Sequence, residues 1–203
     1  QGNSIPIDAK LLSDKKSGFD AAIYQNDQGQ YVVAFRGTDQ WAPGKGSDAD
    51  ENGGQAAGLS TRQYEQAVAL AERAEQVFGK GNVVFAGHSL GGGLASAAMV
   101  ATGAPGVTFN AAGLSDSTLR SLGAVSPNAV RQELATSGQI RRYNVEGELL
   151  TGAQQDALAF LPDAVGHELR VAAPKGMGWN PIERHGGGGP HQSYVEGLRQ
   201  NPA

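Results

Sequence analysis

Cysteine is absent from the 203 residues. That excludes a disulfide framework, a thiolate nucleophile and a thiolate-bound metal, and it leaves the compartment open, because a chain without thiols tolerates any redox environment. Positive charge is scarce: 16 Lys and Arg stand against 20 Asp and Glu, a net charge of −4. Binding to phosphate backbones rests on clustered cationic side chains, so no nucleic-acid partner is expected. Long apolar runs are missing as well. Between Lys80 and Asp116 there is no Asp, Glu, Lys or Arg, yet Gly91-Gly92-Gly93 and Gly103-Ala104-Pro105-Gly106 cut the stretch. A membrane-spanning helix needs about 20 continuous, mainly apolar residues, so this segment reads as the dry centre of a globular sheet. Residues 1–16 lack a cationic start followed by an apolar run, and no targeting segment is legible there.

What the chain does hold is glycine and a core. It has 30 Gly, 39% hydrophobic residues and 18% charged residues. The composition is that of a folded chain and the length suits a single domain over 1–203. The glycine predicts tight turns and backbone lying close to backbone. Two β-rich runs, 19–25 and 30–35, joined by Asn26-Asp27-Gln28-Gly29, predict an antiparallel hairpin. Residues 39–58, polar and Gly-rich with four acids, predict a mobile loop or short lid. Ser60-Thr61-Arg62-Gln63 fits a capping box opening a helix that Gly79 stops, with Tyr64, Val68, Ala71, Glu75 and Phe78 at helical spacing. The apolar run 82–86 suits a strand buried on both faces, 90–101 an Ala- and Gly-rich helix, and 107–110 a further strand. Ser126-Pro127 opens a helix that ends at Gly138, and 140–145 is the next strand. Beyond Gln155 the pattern weakens, with a closing helix expected at 194–198. An antiparallel start followed by alternating helix and strand predicts a three-layer α/β domain with a mixed, mostly parallel central sheet.

The chemistry concentrates in Gly87-His88-Ser89-Leu90-Gly91, directly after an apolar strand and directly before a small-residue helix. This is the G-x-S-x-G pattern in its required context. A Ser on so sharp a turn takes a strained backbone, and neighbours without Cβ avoid the clash. The hydroxyl is then presented beside the helix N-terminus, where the N–H of Leu90 can stabilise the anion formed when an ester carbonyl is attacked. The bland alternative is a Gly-rich turn whose Ser caps the helix. A Ser hydroxyl needs a base, and the base needs an acid to hold its tautomer. His185 and His191 flank Gly186-Gly187-Gly188-Gly189-Pro190, a loop able to bring a base to the top of the sheet. His191 is favoured because the positive end of a following helix keeps its imidazole neutral. His88 is read as a packing residue and His167 as a surface residue. Three carboxylates keep the order Ser, acid, His: Glu148, Asp163 and Asp116. Glu148 stands just past a strand, where catalytic residues of α/β sheets gather. A metal hydrolase is disfavoured by the spacing of His185 and His191, which matches no ligand helix.

Ala34-Phe35-Arg36-Gly37-Thr38-Asp39 and Gly87-His88-Ser89-Leu90-Gly91-Gly92-Gly93-Leu94-Ala95, in this order with a helix before the second, resemble the class 3 (fungal-type) lipases and their bacterial phospholipase relatives. The resemblance spans most of residues 19–200. It implies an α/β hydrolase that cleaves lipid esters without a metal or other cofactor. It assigns Thr38 to the second oxyanion-hole group beside Leu90, supports Glu148 as the acid, where Asp is usual, and places the His near the C-terminus. It further implies a phospholipid substrate at a membrane surface, cut at the sn-1 ester, and a secreted or delivered bacterial protein. Fungal members carry disulfides and an apolar lid helix, and neither is legible here. Rival readings are an esterase or peptidase acting on soluble or cell-wall substrates, and a binding module that kept a hydrolase scaffold.

Overall fold

The fold is taken from a computed structural model. The described residues are 6–37, 49–145 and 164–171, with residues 49–60 described by backbone alone. Within them, seven strands form one sheet in sequence order. Strands β1 (Ser13–Asp14), β2 (Phe19–Gln25) and β3 (Tyr31–Phe35) are antiparallel neighbours. From β3 onward the sheet is parallel, through β4 (Val83–His88), β5 (Gly106–Phe109), β6 (Ile140–Val145) and β7 (His167–Val171). The hairpin closes because the Asn26 side chain accepts from the amides of Gln28 and Gln30 at 3.0 and 2.8 Å, and Gly29 takes φ +80°. Few residues other than Gly reach that φ without strain.

The strands' period of two sorts the core. Val33, Phe35, Val83 and Phe85 are fully covered on one face, and the rings of Phe19, Phe35 and Phe85 follow one another at centroid spacings of 6.1 Å. Each such side chain contributes about 1.5–3 kcal/mol on burial. Val32, Ala34, Val84, Ala86, Val107 and Phe109, in the alternate positions, are half-buried. Over the core face lie α1 (Ala49–Phe78), which buries Ala67, Leu70, Ala71 and Ala74, and α2 (Leu90–Thr102), buried from Gly91 through Met99. Helix α2 lies so close that a Cβ on Gly106 of the sheet would strike the Met99 sulfur and the Phe85 carbonyl. Two further helices, α3 (Asp116–Ser121) and α4 (Pro127–Ser137), connect β5 to β6. Their Leu119 and Leu134 join the same core as Ile140 and Val165. Helix α4 has the caps expected of it: the Ser126 side chain accepts from Ala129, Pro127 stands at the first position, and Gly138 closes it at φ +70°.

The expected hairpin, mixed sheet and helix–strand alternation of an α/β hydrolase are therefore present. Two expectations differ in detail. Helix α1 begins at Ala49, so residues 49–58 are helical and Ser60 lies inside the helix instead of capping it. Gln63 is spent elsewhere: its side-chain amide is buried and donates to the Ser17 carbonyl, tying α1 to the β1–β2 turn. Strand β7 and helix α3 were not legible in the sequence. His167, expected at the surface, is exposed and opens β7, its Nδ1 3.0 Å from the Ala135 carbonyl oxygen. The closing helix expected at 194–198 and residues 39–48 lie outside the described residues. No described helix is long and apolar enough to cross a membrane.

Candidate active site

Ser89 stands at the junction of β4 and α2 with φ +56° and ψ −126°. A β-bearing residue pays on the order of 1–3 kcal/mol to occupy such a region and does so only where its surroundings over-determine it. Here the surroundings are visible. The Ser89 N–H donates to the Phe109 carbonyl at 3.1 Å, and its carbonyl accepts from Gly92, Gly93 and Ala112 at 2.9, 3.2 and 2.9 Å. The turn exists only because two positions lack side chains. A Cβ on Gly87 would run into the Gly91 carbonyl, and one on Gly91 into the backbone of Phe35, Arg36 and Gly37, all under 3.0 Å. The Ser89 side chain makes no capping bond to the helix that follows, which removes the bland reading of Ser89 as a helix cap. It is half-buried, not sealed in.

The same sterics bring the start of α2 beside the end of β3. Leu90 is the first residue of α2, and the first N–H groups of a helix have no acceptor within it. Backbone contact between Gly91 and residues 35–37 presses the end of β3 against this helix start. The next residue is Thr38, which lies outside the described residues. Arg36, the charged member of that strand end, lies 3.6 Å from the Asp20 carboxylate with both groups largely exposed. Such a pair contributes about 0–1 kcal/mol.

His191, His185, Glu148 and Asp163 also lie outside the described residues. Asp116 lies within them, at the start of α3, with its carboxylate 2.7 Å from Arg131 and 3.6 Å from Arg120. Arg131 also donates to the Leu114 carbonyl, so that carboxylate braces the turn between β5 and α3.

Two residues read in the sequence only as members of a helix face and a strand also pack beside the elbow. Tyr64 of α1 lays its hydroxyl against Gly93 in the first turn of α2, and burial pushes its pKa up to about 12. It lines a groove of about 460 Å³ between α1 and α3, together with Glu65, Val68, Glu72, Thr118 and Leu122. Asn110, buried and at φ +40°, directly follows β5 beside the elbow. Its signal was an Asn closing an apolar strand before Ala111-Ala112-Gly113.

A mixed sheet with a strained Ser between a parallel strand and a buried helix defines an α/β hydrolase-like fold. Comparison narrows the class: residues 3–178 match the Tle-like phospholipase domain, and the chain belongs to that family. It is also similar to an extracellular phospholipase A1 of Serratia liquefaciens, with 48% identity over 166 residues. That alignment covers 82% of this chain and 49% of the relative, so the chain spans about half the relative's length.

Proposed function

We propose that this chain is a serine hydrolase that cleaves a carboxylic ester bond of membrane phospholipids, with phospholipase A1 regiochemistry. The carrying observation is the Ser89 elbow: a strained, half-exposed Ser, uncapped toward its helix, at the positive end of α2. Membership of a phospholipase family and the likeness to a phospholipase A1 support the choice of substrate. In this reading Ser89 Oγ attacks the acyl carbonyl while His191 takes its proton. Glu148 holds the imidazole, and the Leu90 N–H and Thr38 receive the oxyanion. Collapse of the tetrahedral species returns the proton to the departing glycerol oxygen, and water then hydrolyses the acyl-enzyme with His191 as base. His185 replaces His191, and Asp163 or Asp116 replaces Glu148, if the variants so require. The Arg131 and Arg120 pairing weighs against Asp116. The relative's extracellular character supports a secreted role acting at a membrane surface.

The test is product analysis on vesicles of a phospholipid bearing different acyl chains at its two positions. Release of the sn-1 fatty acid, with a lysolipid that keeps the sn-2 chain, is the expected result. Release of the sn-2 chain contradicts the regiochemistry. Cleavage of short p-nitrophenyl esters with no action on vesicles moves the substrate to soluble esters. No hydrolysis of either by a folded protein leaves a binding module.

A further inference from the structure

Strand β5 stops at Phe109 while β6 runs on to Val145. The two are paired as far as Phe109 opposite Tyr143. At Asn110 the backbone turns away with φ +40°, yet the ladder does not end there. The Asn110 N–H donates to the Tyr143 carbonyl at 2.9 Å, and its side-chain Oδ1 accepts from the Val145 N–H at 3.0 Å. The side-chain amide thus stands where the next backbone carbonyl of β5 would have been, and adds one rung beyond the last paired residue. Asn is suited to this because its short polar side chain both tolerates the left-handed region and mimics a peptide group. The rung is dry: Asn110 is 1% exposed and Val145 fully buried. A buried amide left without an acceptor costs about 1–3 kcal/mol, so the bond is expensive to lose.

What the rung joins is specific. One residue before it, the Phe109 carbonyl accepts the Ser89 N–H, and two residues after it, the Ala112 N–H donates to the Ser89 carbonyl. Residue 110 is therefore the centre of the segment that grips the elbow from both sides. Val145, at the other end of the rung, is the last residue of β6, and Glu146-Gly147-Glu148 follow it directly in sequence.

We infer that Asn110 is a positioning residue for the hydrolytic reaction: its side chain fixes Val145, which Glu146-Gly147-Glu148 follow in sequence, against the segment that holds Ser89. This rests on the reading of Ser89 as nucleophile and of a carboxylate just past β6 as the acid. The acid matters through the charge it places beside the base, and about 1 Å of misplacement in such a constellation costs about 10²-fold in rate. A nearby carboxylate also raises the pKa of an imidazole, so loosening it lowers the ascending limb of the pH–rate profile.

The test compares Asn110→Gly, which keeps the backbone conformation but removes the acceptor, with Asn110→Asp, which restores an acceptor. Three readouts are taken on the folded proteins: amide hydrogen exchange at Val145, kcat and KM on phospholipid, and the pH dependence of kcat/KM. Asn110→Gly is expected to lose protection at Val145, to lower kcat by about 10- to 100-fold with KM little changed, and to move the ascending limb to lower pH. Asn110→Asp recovers protection at Val145 and most of kcat. If Asn110→Gly loses protection at Val145 but keeps kcat and its pH limb, the rung is structural only and the inference is overturned. If wild type itself exchanges Val145 as freely as Asn110→Gly, the rung is absent and the inference fails at its first step. A wild type that protects Val145 but hydrolyses nothing refutes the reading of Ser89 instead.

Discussion

At the scale of single residues, the site is governed by two missing side chains as much as by those present. Gly91 admits the end of β3 to within backbone contact of α2. Gly91→Ala must push residues 35–37 and the helix start apart, and backbone has no rotamer with which to yield. The expected outcome is a loss of about 2–4 kcal/mol of stability together with a large fall in kcat. Chemical denaturation and ester hydrolysis measured on the same sample check both. The Ser89 elbow was legible from its motif because G-x-S-x-G states a steric requirement directly. The base is a different matter, since two imidazoles flank one glycine-rich loop and no local pattern separates them. His191→Ala and His185→Ala should differ by orders of magnitude in kcat/KM, with His191→Ala the lower, and equal residual activity would contradict that choice. Glu148→Gln should lower kcat on the order of 10²- to 10⁴-fold, as loss of the orienting charge does in Ser-His-acid sites. Near-normal turnover would move the role to Asp163 or Asp116.

At the scale of elements, local signals were sufficient where a helix carries its own caps. Helix α4 has Ser126, Pro127 and Gly138 where a monomeric helix would want them, and it was readable end to end. Ser126→Ala should cost about 1 kcal/mol in thermal or urea unfolding without changing kcat, since among the described residues the Ser126 hydroxyl serves the Ala129 amide alone. No loss would show the cap to be idle. Helix α1 misled because its apparent box at Ser60 lies within a longer helix and Gln63 is committed to Ser17. Tertiary contact overrides such a signal when the capping side chain has a better buried partner. Strand β7 was hidden for a related reason. His167-Glu168-Leu169-Arg170-Val171 reads as a polar run, but Glu168 accepts from Asn144 at 2.9 Å and faces Arg142 at 3.9 Å and Arg170 at 3.5 Å, so a charged strand is held beside β6 by pairing that no single segment reveals.

At the scale of the whole molecule, the packing of α1 on α2 ties the site to overall stability. The Tyr64 hydroxyl sits against Gly93 and holds its proton to about pH 12, against an ordinary value of 10. Between those values the unfolded chain releases the phenolic proton while the folded chain keeps it, so folding stability falls as pH rises through that window. The loss is on the order of 2 kcal/mol by its upper end. Tyr64→Phe should flatten this fall in urea unfolding followed from pH 9 to 11.5, and an unchanged slope would show that another group causes it. The order of strands along the sheet is a global property as well. The alternation of helix and strand implied a parallel sheet, and the hairpin implied its antiparallel edge, because both follow from connection lengths. The contact between Phe35-Arg36-Gly37 and Gly91, far apart in sequence, was legible only as two separate motifs. The central claim is that Ser89 is an activated nucleophile, and covalent labelling with a fluorophosphonate tests it most directly. One adduct per chain, mapped by peptide mass to Ser89 and absent from Ser89→Ala, is the predicted result. A folded wild-type protein that takes no adduct, or carries it on another residue, would contradict the account.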